Sequence, residues 1–159
     1  MIMQTAIEAE SCLRWAVRES LLRYVTVIAG GTCTVDGDAV KGDDGIFTFP
    51  LRAAVQEGED WRLSFGGSVR LEAHHGLMDV LIKDPELVVG PGRGVLATHT
   101  PDGELLALVA LDEAAPTDDG DALVWAEVPT QLASAAVDLF GTAYPAGTGM
   151  APIAIRVSH

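Results

Sequence analysis

Cations are scarce in this sequence: ten Lys and Arg stand against 23 Asp and Glu, a formal charge of −13 over 159 residues. Such a surface repels phosphates and anionic lipid headgroups, and it offers little of the counterion release that drives nucleic-acid binding. Nucleic acid is therefore not an expected partner. Cysteine is nearly missing as well. Cys12 and Cys33 are too few for a disulfide scaffold, and their spacing suggests neither a zinc site nor a redox site. No run approaches the roughly eighteen apolar residues that cross a bilayer, the longest candidates being Val25–Gly31 and Leu105–Leu111. The opening segment Met1–Glu10 lacks a basic start and a continuous apolar stretch and carries Glu8 and Glu10. As written, the chain reads as unexported and cytoplasmic.

What the sequence does have is enough apolar residue, 48%, to offset the entropy of ordering a chain of this length. One domain over residues 1–159 is expected. Leu13, Ala16, Val17, Leu21 and Tyr24 recur at spacings of three and four, which predicts one long helix from Ser11 to about Ile28, stopped by Gly30-Gly31. Ser20 and Tyr24 then share a face. Beyond it the period falls to two. Predicted strands are Gly45–Pro50, Arg62–Ala73, Gly76–Lys83, Glu86–Gly90, Gly94–Thr98, Glu104–Asp112, Ala122–Glu127 and Pro152–Val157, with a hairpin loop at Thr98–Gly103 and a short helix or turn between Thr130 and Phe140. The fold class this implies is mainly β (α+β): an antiparallel β-sandwich with the long N-terminal helix packed against it.

Several familiar chemical signals fail. Asp36–Gly45 resembles a calcium loop, but Val40 occupies a ligand position and no Glu closes it. Gly90–Gly94 has the glycines of a nucleotide loop yet leads into a strand, so it reads as a turn. No Gly-x-Ser-x-Gly elbow is present. The remaining candidates are Tyr24, His74, His75, His99 and Tyr144. Strand alternation through Val69–Gly76 would point one of His74 and His75 inward and the other outward. Taken alone, Tyr24 reads as a core tyrosine and the histidines as surface or core side chains. An acid–base pair of His74 or His75 with Asp79 is a weaker enzymatic alternative.

Four segments in order alter this reading. Leu13–Val25 is similar to a Trp-x-Val-Lys/Arg-x-Ser-x-x-x-Tyr-Val pattern. Ile46–Pro50 follows. Phe65–Asp79 resembles Gly-x-Val-x-Phe-x-x-His-x-Gly-x-Leu-Asp, with the Asp84-Pro85 turn after it. Val128–Leu132 and Phe140–Thr148 complete the set. Together they resemble the HtaA domain, a haem-binding module of actinobacterial haem uptake whose members are usually extracellular or at the cell surface. The resemblance implies ferric haem b as cofactor and Tyr24 as the ligand of the haem iron. It also places a histidine at His74, with His75 or His99 as alternatives, and a second tyrosine at Tyr144. A phenol, whose ordinary pKa is about 10, must lose its proton to ligate iron, and tyrosine is a known haem ligand. A histidine bonded to the phenolate would orient it. Ser20 is placed to meet a propionate, and Arg23 and Arg70 to offset its charge. Ala16, Leu21, Leu71 and Ala73 depart from the family pattern and imply a lining poorer in aromatic rings. The implied role is haem storage, buffering, transfer or uptake, with a haem donor or acceptor protein as partner and no enzymatic activity. The alternative is a haem-free scaffold of the same fold that binds a protein or another hydrophobic small molecule.

Overall fold

The computed structural model describes residues 11–92 and 94–158. Met1–Glu10, read above for an export signal, lies outside them. Among the described residues are thirteen strands, labelled β1 to β13 in chain order, and all their pairings are antiparallel.

β1 (Cys12–Trp15) overturns the first half of the expected long helix. Leu13 and Trp15 are buried while Arg14 is exposed, so Leu13 fits period two with Trp15 as well as the helical spacing with Ala16 and Val17. Tertiary pairing decides between them. β1 lies between β13 (Gly149–Ser158) and β4 (Phe47–Glu57), with Leu13 opposite both Ile155 and Phe49. Only then does the helix begin, as an α segment Glu19–Arg23 that widens into a π turn, Tyr24–Ile28. Thr26 Oγ1 donates to the Leu22 carbonyl at 2.9 Å, and the Tyr24 carbonyl accepts from the Ala29 amide, five residues on, at 2.8 Å. The hinge between strand and helix is Val17, buried and at φ 61°, a strained conformation for a β-branched residue.

The strand order of the larger sheet closes on itself. From β1 it passes through β13, β12 (Ala122–Leu132), β10 (Leu105–Leu111), β9 (Gly94–His99), β8 (Glu86–Val89), β5 (Asp60–Phe65) and β4, and β4 returns to β1. β3 (Val40–Lys41) and β11 (Thr117–Asp118) add to it. A second sheet contains β2 (Thr32–Asp36), β6 (Ser68–Ala73) and β7 (Met78–Lys83). Two sheets around a common core are sandwich-like, as expected. Trp15, Phe47, Phe49, Phe65, Trp125 and Phe140 are its largest fully buried rings.

The expected strand Arg62–Ala73 is two strands in different sheets, β5 and β6. Gly66 and Gly67 carry the chain across. Gly67 has φ 101°, and a Cβ there would overlap the backbone of Ala39, so only glycine makes this passage. The crossing is pinned by Asp84, whose amide donates to the Gly67 carbonyl at 2.8 Å and whose carboxylate meets the Gly67 amide and Arg52 at 3.2 Å each. The buried Thr98 hydroxyl ties the sheets together, accepting from the Lys83 amide at 2.7 Å and donating to the Leu81 carbonyl at 2.9 Å. The Thr98–Gly103 hairpin lies between β9 and β10 as expected, and the segment after β12 is a 3-10 turn, Ser134–Phe140.

Candidate functional site

The smaller sheet organises the candidate site. The helix packs against β2 and β6 through Val25, next to Gly31, where a Cβ would overlap the Glu72 carbonyl. This close approach sets Tyr24 beside the end of β6. Strand alternation does not continue there. His74 and His75 both take φ 56°, followed by Gly76 at φ 90°, in a left-handed turn that leaves both imidazoles exposed. The expectation of one inward and one outward histidine is therefore wrong, because the chain leaves the sheet at Ala73. Left-handed backbone costs a non-glycine residue about 1–2 kcal/mol, and such strain gathers at functional sites.

The turn brings His74 to Tyr24. Tyr24 Oη and His74 Nε2 lie 2.8 Å apart, with ring centroids at 5.6 Å and planes tilted by 45°. Tyr24 is half-buried. Exposed apolar side chains lie close in sequence to both members of the pair: Val27 and Ile28, one helical turn beyond Tyr24, are each 70% exposed, and Leu77, three residues beyond His74, is 76% exposed. Beside the pair, Gly30, Gly31, Glu72, His74 and His75 line a groove of about 460 Å³.

The other candidates are distributed unevenly. Ser20 is exposed on the helix four residues before Tyr24, and His75 is exposed on the turn. The ring contacts of Tyr144 are to Phe140, at 6.3 Å and 70°, and to the Arg18 guanidinium, at 4.9 Å. His99 is not brought to Tyr24. Its Nδ1 donates to the Asp84 carbonyl at 2.8 Å and its Nε2 faces Glu86 at 3.3 Å, so it serves the corner between the sheets. Arg70 is not free for a propionate either. It grips Asp79 through two hydrogen bonds of 2.9 and 2.8 Å and lies 3.7 Å from Glu72. Hydrogen bonding and charge from Arg70 hold the Asp79 carboxyl below its ordinary range, and the Asp79 side chain is engaged by Arg70. Burial pushes both thiols, Cys12 and Cys33, above the ordinary cysteine value, as suits unreactive side chains. No cluster of three metal-binding side chains occurs among the described residues, and none of their helices is long and apolar enough to cross a membrane. Sequence reasoning missed Arg18, whose chemistry depends on a loop more than a hundred residues away.

The HtaA family model matches residues 10–156. The chain belongs to the HtaA family. Solved HtaA structures share its fold. The C-terminal domain of HtaA from Corynebacterium glutamicum aligns with a TM-score of 0.79 at 21% identity, covering 93% of this chain and 95% of the other. The N-terminal domain of the same protein aligns with a TM-score of 0.75 at 22% identity, covering 94% and 98%. A protein of that organism described as the heme-binding protein HtaB aligns with a TM-score of 0.66 at 20% identity, covering 93% and 92%. Among curated proteins, none matches this HtaA chain.

Proposed function

We propose that this HtaA domain binds ferric haem b at its surface, with Tyr24 as the iron ligand and His74 as the group that takes the phenol's proton. The 2.8 Å contact between Tyr24 Oη and His74 Nε2 carries the reading. Ferric iron supplies the Lewis acidity that favours a deprotonated, hard oxygen ligand. In the neutral pair the phenol donates to Nε2. Once the phenol is deprotonated the direction reverses, and the imidazole N–H donates to the phenolate, fixing its orientation. Val27, Ile28 and Leu77 supply exposed apolar surface of the kind a porphyrin face covers. Ser20 and Arg23, both exposed on the same short helix, are polar groups for a propionate.

An edge-exposed site suits a protein of charge −13, because carboxylates left in water need no buried cation. It also suits a protein that stores or buffers haem, or passes it to and from partner proteins, rather than one that does chemistry on it. Family membership and the haem-binding description of HtaB support the class of ligand. The test is a hemin titration followed by visible absorption. Wild type should show the charge-transfer features of a ferric tyrosinate and Tyr24→Phe should not. A wild-type spectrum indistinguishable from free hemin would sink the proposal.

A further inference from the structure

We infer that Arg18 is a positioning residue that latches the segment from Thr142 to Gly149 beside the Tyr24–His74 pair and sets how long haem is retained. The retention clause rests on the haem reading above. Arg18 opens the helix that carries Tyr24: its carbonyl accepts from the Leu21 and Leu22 amides at 3.0 and 3.2 Å. Its side chain turns the other way. Nη1 donates to the Gly149 carbonyl at 2.5 Å, and the guanidinium lies 4.9 Å from the centre of the Tyr144 ring. Tyr144 in turn packs edge-on against buried Phe140.

The start of the same segment sits on the other half of the site. Gly141 lies so close to β7 that a Cβ there would stand 3.3 Å from the Leu77 carbonyl, and Leu77 directly follows the turn that carries His74. The segment thus begins beside the histidine's turn and ends on the residue that starts the tyrosine's helix. Gly141 and Thr142, at φ 69° and 58°, bend the chain into it. Arg18 Nε is shut away from water and has no acceptor among the described residues. An unpartnered buried N–H is a net cost to folding, so the contribution of Arg18 lies in its hold on Tyr144 and Gly149 rather than in a complete set of hydrogen bonds. A cation over an aromatic face combined with a charge-assisted bond makes a stronger clasp than either alone.

The experiment uses wild type, Arg18→Met, Arg18→Lys, Tyr144→Leu and the Arg18→Met/Tyr144→Leu double variant. Amide hydrogen exchange over residues 142–149 is measured without ligand, and hemin loss is timed against excess apomyoglobin. Arg18→Met should speed exchange in that segment and hemin loss by about tenfold, with the visible spectrum of the bound state unchanged. Arg18→Lys should restore most of both, and adding Arg18→Met to Tyr144→Leu should change the loss rate by less than about twofold. If Arg18→Met does not fold, Arg18→Lys and Tyr144→Leu carry the test, each showing a smaller effect in the same direction. Wild-type exchange or wild-type hemin loss in Arg18→Met, or in Tyr144→Leu should Arg18→Met not fold, or effects that multiply in the double variant, would overturn the latch. A wild type that takes up no hemin would overturn the haem reading and the retention role with it, and the exchange data would still report on the clasp itself.

Discussion

Tyr24 and His74 are separated by 50 positions in the chain, and Tyr24 Oη and His74 Nε2 form a hydrogen bond of 2.8 Å. The phenol and the imidazole are both amphoteric hydrogen-bonding groups, so the bond survives loss of the phenolic proton by changing its donor.

This asymmetry makes the two side chains unequal as targets. Tyr24→Phe removes the only oxygen the pair offers a metal and should abolish the tyrosinate spectrum. His74→Ala leaves the phenol but removes its proton acceptor and its orienting bond. An orienting partner of this kind is worth about 10–100-fold in affinity, so His74→Ala should weaken hemin binding by that factor while a tyrosinate band persists at saturating hemin. Equilibrium titration of both variants checks it.

Thr98 predicts a stability effect without a ligand. Thr98→Val keeps the shape and leaves the Lys83 N–H and the Leu81 carbonyl without their shared partner inside the protein. Each stranded group costs about 1–3 kcal/mol. Urea unfolding should show a loss of about 2 kcal/mol or more with an unchanged m-value, and Thr98→Ser should recover most of it.

The left-handed turn makes an opposite-signed prediction. His75 is exposed at φ 56°, and its side chain has no hydrogen-bond, ion-pair or ring partner among the described residues. His75→Gly should stabilise by up to about 1 kcal/mol, because relief of the backbone strain outweighs the extra freedom of the unfolded chain. His75→Val should destabilise by about 1 kcal/mol. Thermal unfolding of the pair of variants reads both signs.

Asp79 ties stability to acidity. Its folded-state pKa is depressed, first by its hydrogen bond to Arg70, so its contribution is present above the ordinary carboxylate pKa and is lost as pH falls through the folded value. Asp79→Asn should therefore be less stable than wild type near neutral pH, modestly because the pair is largely exposed. The difference should shrink as pH falls through and below the ordinary carboxylate range. Melting temperatures across an acid series decide the matter.

The β-rich class and most turns are legible in the sequence, because period two and Asp-Gly or Gly-Gly pairs are local signals. The misread regions depend on partners far along the chain. Leu13 satisfies a strand with Trp15 as well as a helix with Ala16 and Val17, and Ile155 and Phe49 on either side select the strand. Arg62–Ala73 looks continuous until Ala39 is placed against Gly67. The turn at His74 and His75 has only Gly76 as a local mark, since left-handed histidines have no compositional signature. Spacing says nothing of the meeting of Tyr24 with His74, which became an expectation only through the likeness to HtaA domains. The same likeness offered His99 and Arg70, and the neighbours that engage them, Asp84, Glu86 and Asp79, come from adjacent strands and strand ends.

Closing the larger sheet through β1 also has a mechanical consequence. Cys12 faces Arg156 across the β1–β13 ladder, and the Ser158 amide donates to Ser11 Oγ at 2.8 Å, so the first and last described strands run side by side with their outer ends together. A force drawing those ends apart meets the ladder one hydrogen bond at a time, as a zip is opened, instead of loading every rung at once in shear. Peeling β1 away also strips its other edge from β4 and opens the circuit at its seam. Tension applied at the ends thus finds a weak direction that heat and denaturant, acting on the whole core, do not single out.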